Sequence, residues 1–155
     1  MKNPLLLAAE RARRAYWYVS RLRTVGVLGL VLDEEGRVLL VEQTYRHGWY
    51  LPGGGVHRRE GLDEALRREL REEVGVEPTG GPRLLGVYWN FAEHKSDYVA
   101  VFVVDRWRRL QTRRSLEIER EAFFALDALP ADTSPASRRR LAEYRSGAFG
   151  VHGPW

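Results

Sequence analysis

The chain has 155 residues, of which 44% are hydrophobic and 30% are charged, as expected for one soluble globular domain with a substantial core. Its 25 basic and 21 acidic residues give a net charge of +4, and 23 of the bases are arginine. No apolar run approaches the roughly 18 residues of a membrane span, and no export signal is recognisable. The absence of cysteine excludes disulfides, cysteine-bound zinc and thiol nucleophiles. These features predict a cytoplasmic protein without a membrane partner.

Residues 4–23 predict a basic amphipathic helix, so we assign residues 1–23 to an N-terminal helix appended to the core. Packing on its own domain or on a second subunit is the favoured interpretation, which leaves a homodimer open. Contact with a membrane surface or a nucleic acid is the alternative. The many arginines suit phosphate recognition by their planar fork, but they equally suit a genome-wide preference for arginine.

The first two strands of the core are predicted from β-rich runs at Val25 to Leu32 and Val38 to Tyr45. Residues 33–36 form a turn between them, and we therefore expect a hairpin. The second strand leads into a glycine-rich segment, residues 46–55, where three glycines without Cβ atoms permit close approach of the backbone to a ligand.

A helix from Leu62 to Val74 is predicted because apolar residues recur every four positions and Gly75 follows as a left-handed stop. With Glu69 at zero, Glu72 lies near −60° and Glu73 near +40°, so these carboxylates share roughly a 100° arc. The arc borders the apolar stripe. Clustered carboxylates at such a place protonate, pair with cations or hold a hard divalent metal, of which Mg²⁺ is the natural candidate.

Further strands are predicted at Pro82 to Ala92, Asp97 to Trp107 and Ser115 to Phe124. A last helix should begin at Ser134-Pro135 and end near Arg145. These elements predict an α/β fold, an α/β/α sandwich with a mixed sheet. The core domain is placed at residues 24–146, and the glycine-rich tail at 147–155 receives no assignment.

The stretch from Gly54 to Val76 resembles the signature of the Nudix hydrolase family. The family pattern is Gly, five residues, Glu, seven residues, Arg-Glu, an aliphatic, any residue, Glu-Glu, any residue, Gly and an aliphatic. This sequence matches it without departure at Gly54, Glu60, Arg68-Glu69, Leu70, Glu72-Glu73, Gly75 and Val76. The resemblance is strongest over residues 24–130 and weak at both ends.

The resemblance implies an Mg²⁺-dependent pyrophosphohydrolase, with Mn²⁺ as a possible substitute, that acts on a nucleoside diphosphate linked to another group X. Glu69, Glu72 and Glu73 would be metal ligands, and a carbonyl of Gly53 or Gly54 would complete the shell. Arg68 is expected to pair with Glu60 and to orient the helix against the loop. The predicted catalytic residues are Glu69, Glu72, Glu117 and Arg68, and the predicted substrate-binding residues are Arg46, Trp49, Tyr50, Gly53 and Gly54.

Three other readings are weighed against this one. A non-catalytic nucleotide-binding relative would be expected to lose acids of the signature, and all are present here. The isopentenyl diphosphate isomerase branch uses a cysteine, which this chain lacks. Hydrolysis of an RNA 5′-pyrophosphate is the same chemistry on a larger substrate, so the sequence leaves it open. No residue identifies X, and the aromatic residues Trp49, Tyr50, Tyr88 and Trp89 suit base stacking or the core.

The general base need not be a metal ligand, because coordination engages the lone pairs of a carboxylate. Period two places Glu117, Glu119 and Glu121 on one face of a strand, so periodicity alone does not choose among them. Glu117 is preferred because it lies at the loop end of the strand and matches a Glu-Ile position in similar family sequences. A signature acid such as Glu72 is the alternative.

Overall fold

The computed structural model describes residues 23–91, 96–111 and 115–155. The N-terminal helix predicted over residues 4–23 lies outside these ranges except for Arg23, which begins a strand instead. The arginines at 113 and 114 also lie outside them. The strands are β1 Arg23–Val31, β2 Val38–Gln43, β3 Arg46–Tyr50, β4 Gly53–Gly55, β5 Val76–Pro78, β6 Arg83–Asn90, β7 Ser96–Val104, β8 Trp107–Arg109, β9 Ile118–Phe124 and β10 Val151–Pro154. The helices are α1 Leu62–Val74 and α2 Pro135–Arg145. None of the described helices is long and apolar enough to cross a membrane.

The main sheet has five strands in the order β10-β6-β7-β1-β4 and is mixed. β1 pairs in parallel with β7 along its whole length and antiparallel with β4, while β6 pairs antiparallel with β7. A second sheet has the order β3-β2-β9, and β5 and β8 form a two-stranded ladder.

The predicted hairpin of the first two strands is wrong, although the turn at residues 33–36 is present. Asp33 N donates to Arg37 O at 3.0 Å, and Gly36 has a φ of 74°. A single bridge between Leu32 and Val38 joins the two strands, which then enter different sheets. β2 is buried along almost its whole length, so it needs neighbours on both edges and finds them in β3 and β9.

The two helices cover opposite faces of the main sheet, as the predicted sandwich requires. In β1 and β7, Val27 and Ala100 pack in one hydrophobic cluster with Leu70 of α1. Their neighbours Leu30 and Val101 point to the other face and pack with Leu141 of α2. The alternation of side chains along each strand therefore separates the two cores.

Helix α1 has the predicted bounds. Gly75 closes it in the left-handed conformation, with a φ of 60°, and its N–H donates to the carbonyls of Leu70 and Arg71. Leu66 and Leu70 are fully buried, and truncating either to alanine would cost about 2–5 kcal/mol. Leu62 is 37% exposed, so the stripe buries three of its four predicted members.

Helix α2 also follows the prediction, because Ser134 caps it and Pro135 occupies its first turn. The unassigned tail contains a strand: β10 pairs in parallel with β6, with Val151 opposite Gly86 and Pro154 opposite Trp89. This pairing extends the main sheet by one strand at the edge opposite β4.

Candidate active site

The floor of the site is β4, whose glycines lie against β1 at one side and α1 at the other. Gly53 has a φ of 139°, and a Cβ there would lie 2.1 Å from the carbonyl oxygen of Val27. A Cβ on Gly54 would lie 2.6 Å from the carboxylate carbon of Glu69. Only glycine fits either position without a shift of backbone or carboxylate, so the sequence brings the backbone against the acids of α1.

Glu73 is the buried member of the acidic group, since only 9% of the residue is exposed. Its Oε2 accepts a hydrogen bond of 2.8 Å from Gly53 N. Burial raises the pKa of Glu73 to about 7, and repulsion from Glu69, Glu117 and Glu72 adds to the rise, while the Gly53 N–H opposes it. Ionised Glu73 is therefore destabilised mainly by its burial and further by the neighbouring carboxylates.

Arg68 holds the loop before α1 against the helix. Its Nε and Nη2 donate to the two carboxylate oxygens of Glu60 at 2.7 and 2.8 Å, which is the predicted ion pair. Nη2 also donates to Gly55 O at 2.9 Å, and Nη1 donates to Glu69 Oε1 at 2.7 Å. This fork lowers the pKa of Glu60 to about 2, chiefly through the hydrogen bonds from Arg68.

One cavity of about 390 Å³ collects these groups. We call it the acidic cavity, and it is lined by Tyr45, Gly53, Gly54, Gly55, His57, Arg68, Glu69, Glu72, Glu73, Ser115 and Glu117. The three signature acids share it but differ in exposure: the side chain of Glu69 is 14% exposed and that of Glu72 is 64% exposed. Helical geometry places the three glutamates of α1 on one arc but did not predict that their exposures differ.

Glu117 reaches the same cavity from the second sheet. It lies one residue before β9, where its carbonyl accepts from Thr44 N at 2.9 Å and its N–H donates to Ser115 Oγ at 3.2 Å. Glu119 and Glu121 do not line the acidic cavity. Glu121 instead pairs with Arg109 at 2.9 Å.

The acidic cavity fits a hard divalent cation by the chemistry of its donors. It offers four carboxylates and the backbone of three glycines, and its buried acid carries a raised pKa. Among the described residues, no three acidic or histidine side chains converge closely enough to hold a cation as they stand. Glu69 Oε1 accepts from Arg68 and Glu73 Oε2 accepts from Gly53 N, so one oxygen of each carboxylate is engaged within the protein.

A second cavity of about 420 Å³ adjoins the first and shares Tyr45 and Gly53 with it. We call it the aromatic cavity, and it is lined by Leu28, Gln43, Tyr45, Arg46, Tyr50, Leu51, Gly53, Ser134, Pro135, Ala136, Ser137, Arg139 and Trp155. None of these lining residues is acidic. The Arg46 guanidinium lies 4.0 Å from the centre of the Tyr50 ring.

The predicted substrate-binding residues are thus divided. Arg46, Tyr50 and Gly53 line the aromatic cavity, and Gly54 lines the acidic one. Trp49 is 7% exposed and packs edge-on against Phe124 in the core, so its ring lines neither cavity.

Sequence reasoning did not select His57, Tyr45, Arg139 or Trp155, which also line the cavities. His57 lies within the family signature at one of its unspecified positions, and Tyr45 immediately precedes the glycine-rich segment 46–55, so nearness to these motifs was a usable signal. Arg139 lies on an exposed face of α2 and Trp155 follows β10, and neither position carries a motif.

The family model for the NUDIX domain matches residues 22–144. The chain belongs to the Nudix family. This match extends beyond the 24–130 region where the sequence resemblance is strongest, and it includes most of α2.

Curated relatives include an RNA pyrophosphohydrolase of Pseudomonas paraeruginosa, 44% identical over 59 residues, or 37% of this chain and 36% of the relative. Another, of Hydrogenovibrio crunogenus, is 39% identical over 62 residues, or 40% of this chain and 36% of the relative. The alignments therefore span about a third of the length of these relatives.

Solved Nudix structures share the fold over most of the chain. A MutT NUDIX hydrolase from Burkholderia pseudomallei has a TM-score of 0.68 at 27% identity, covering 77% of this chain and 96% of that one. A UDP-X diphosphatase has a TM-score of 0.65 at 21% identity, covering 94% and 74%.

Proposed function

We propose that this Nudix protein hydrolyses a pyrophosphate bond in a nucleoside diphosphate linked to another group, with Mg²⁺ held in the acidic cavity. The observation that carries the proposal is the excess of negative charge there, with four carboxylates around a glycine backbone that a phosphate can approach. Mn²⁺ is the expected substitute, because both ions prefer oxygen ligands.

Glu69, Glu72 and Glu73 would hold the cation, with a carbonyl of Gly53 beside them. When bound, the cation neutralises negative charge that develops on the phosphate oxygens in the transition state. Arg68 fixes the position of Glu69 relative to strand β4 through its hydrogen bonds to Glu69 and Gly55 O. It acts here by positioning the acids.

Glu117 is the proposed general base that takes the proton of the attacking water. It lines the acidic cavity from the residue before β9 and does not belong to α1. Its lone pairs stay available if α1 supplies the metal ligands. Glu72 is the alternative base, because its side chain is largely exposed.

Hydrolysis of a 5′-pyrophosphate on RNA is a second candidate. It is favoured by the names of the curated relatives, which are RNA pyrophosphohydrolases, and it uses the same acids. Location in the cytoplasm suits both candidates and is part of this proposal.

The test measures the release of phosphate or nucleotide when purified protein is incubated with each candidate substrate. The candidates are nucleotide sugars, ADP-ribose, dinucleoside polyphosphates, nucleoside triphosphates and 5′-triphosphorylated RNA. Activity on the preferred substrate should vanish in excess chelator and return with Mg²⁺ or Mn²⁺. Undiminished turnover in chelator would refute the metal-dependent mechanism. Turnover of triphosphorylated RNA alone would replace the first substrate class with the second.

A further inference from the structure

Strand β10 brings Trp155 beside the active site. The N–H of Trp155 donates to Trp89 O at 2.9 Å, which continues the parallel pairing of β10 and β6 by one residue. Its main-chain oxygen accepts a hydrogen bond of 2.8 Å from Nη2 of Arg139, on α2. The backbone of Trp155 is thus fixed from the sheet and from the helix.

The indole ring also has contacts within the fold. Its centre lies 5.9 Å from that of the buried Tyr88 ring, and the guanidinium of Arg140 lies 5.5 Å from it. Arg140 is itself 3% exposed and lies 3.7 Å from the Tyr88 ring. An aromatic side chain fixed in this way loses little conformational entropy when a ligand binds.

The indole is only partly buried by these contacts, and it lines the aromatic cavity. Tyr50 and Arg46 line the same cavity, and neither Arg46 nor Arg139 forms an ion pair with any described residue. The cavity therefore presents aromatic surface and two guanidinium groups, without an acidic lining residue, beside the acidic cavity. This combination suits a flat aromatic group that carries phosphates.

We propose that Trp155 is a specificity-determining residue that stacks on the nucleobase of the substrate. The base would occupy the aromatic cavity, and the phosphates would pass the shared residues Tyr45 and Gly53 toward the acids. This inference rests on the proposed function, since it assigns the nucleobase of that substrate to the aromatic cavity.

A purely structural tryptophan would behave differently. Removing a packing residue lowers stability and weakens every ligand alike, whereas removing a stacking partner weakens ligands that have a base and spares those that lack one. Stacking of a base on an aromatic side chain contributes about 1–3 kcal/mol by substitution, or roughly five- to 150-fold in affinity.

The experiment is titration calorimetry in excess chelator with AMP, GMP, CMP and UMP, and with ribose 5-phosphate as the ligand without a base. The variants are Trp155→Leu, which keeps apolar contact with Tyr88, and Trp155→Phe, which keeps a stacking ring. His152→Ala is the matched control, because His152 lies exposed on the same strand and does not line the aromatic cavity.

Wild type should bind its preferred monophosphate at least fivefold more tightly than ribose 5-phosphate. Trp155→Leu should abolish most of that difference, Trp155→Phe should restore most of it, and the control should keep it. Equal losses for both ligands, or unchanged binding in Trp155→Leu, would overturn the inference.

If Trp155→Leu does not fold, fluorotryptophan-labelled wild-type protein supplies the same test by ¹⁹F NMR. The resonance missing from Trp155→Phe should move with the preferred monophosphate and stay with ribose 5-phosphate; a resonance that stays with both would overturn the inference. These measurements need no turnover, so they separate the two proposals. Hydrolysis with an unchanged KM in Trp155→Leu would remove only the inference, and stacking without metal-dependent hydrolysis would remove only the proposed reaction.

Discussion

Replacing Glu73 with glutamine should stabilise the metal-free protein and weaken its binding of a divalent cation. Burial raises the pKa of Glu73 from an ordinary 4.5 to about 7, and repulsion from Glu69, Glu117 and Glu72 adds to the rise. Glutamine removes the charge but keeps the shape, and its carbonyl oxygen can accept the hydrogen bond from Gly53 N. The uncompensated charge that favours a cation is thus the same charge that destabilises the metal-free fold.

The sign follows from proton linkage. A carboxyl whose pKa is higher in the folded state destabilises the fold above that pKa, and the penalty is absent well below the unfolded value. With values of 4.5 and about 7, the penalty at pH 8 is roughly 3 kcal/mol, and at pH 5 it is under about 1 kcal/mol. Glu73→Gln should therefore raise the free energy of unfolding by most of this penalty at pH 8, and by much less at pH 5.

Urea unfolding in excess chelator at pH 8 and pH 5 measures the effect. Glu72→Gln is the matched control, because the Glu72 side chain is 64% exposed and its removal should change stability little. Adding Mg²⁺ should raise the stability of wild type and have a smaller effect on Glu73→Gln. A gain that is equal at both pH values, or no gain at pH 8, would refute the reasoning.

Two further substitutions test the remaining roles. Glu117→Gln should lower kcat by about 10² to 10⁴ with Mg²⁺ affinity nearly intact. The control Glu121→Gln should have little effect on kcat. If Glu117→Gln lowers kcat by less than about threefold, the role of general base returns to Glu72. Arg68→Ala should lower both the melting temperature and the activity, because Glu60 and Glu69 lose their shared cation. Reduced activity at an unchanged melting temperature would instead indicate that Arg68 contacts the substrate.

Local patterns predicted the elements that depend on local physics. Helix α1 was predicted with its bounds because its apolar spacing and Gly75 act within a few residues of one another. The capped start of α2 at Ser134-Pro135 was predicted for the same reason. The ion pair of Arg68 with Glu60 came from the family signature, which encodes contact between a loop and the helix that follows it.

The pairing of strands could not be predicted in the same way. Alternation along β1 and β2 indicates extended chain and buried faces, but it does not name the neighbouring strand. The short turn at residues 33–36 suggested a hairpin, while the partners of β1 are β7, about 70 residues later, and β4. Strand β10 was unassigned because the glycines of the tail, Gly147, Gly150 and Gly153, weaken any local signal and its partner β6 is remote in sequence.

The same limit separates the two halves of the candidate site. The acids of α1 lie on one helix, so helical geometry brings them to one cavity before the rest of the fold is known. Glu117, Arg139 and Trp155 arrive from β9, α2 and β10, and only the assembled sheets place them beside β4. A signature confined to one loop and helix therefore identifies the family, while the residues that we propose to distinguish one substrate from another lie on elements outside it. The preference for one nucleobase over another should therefore be sought in the aromatic cavity, by variation of Trp155 and Arg139, since changes among the acids alter catalysis for every substrate alike.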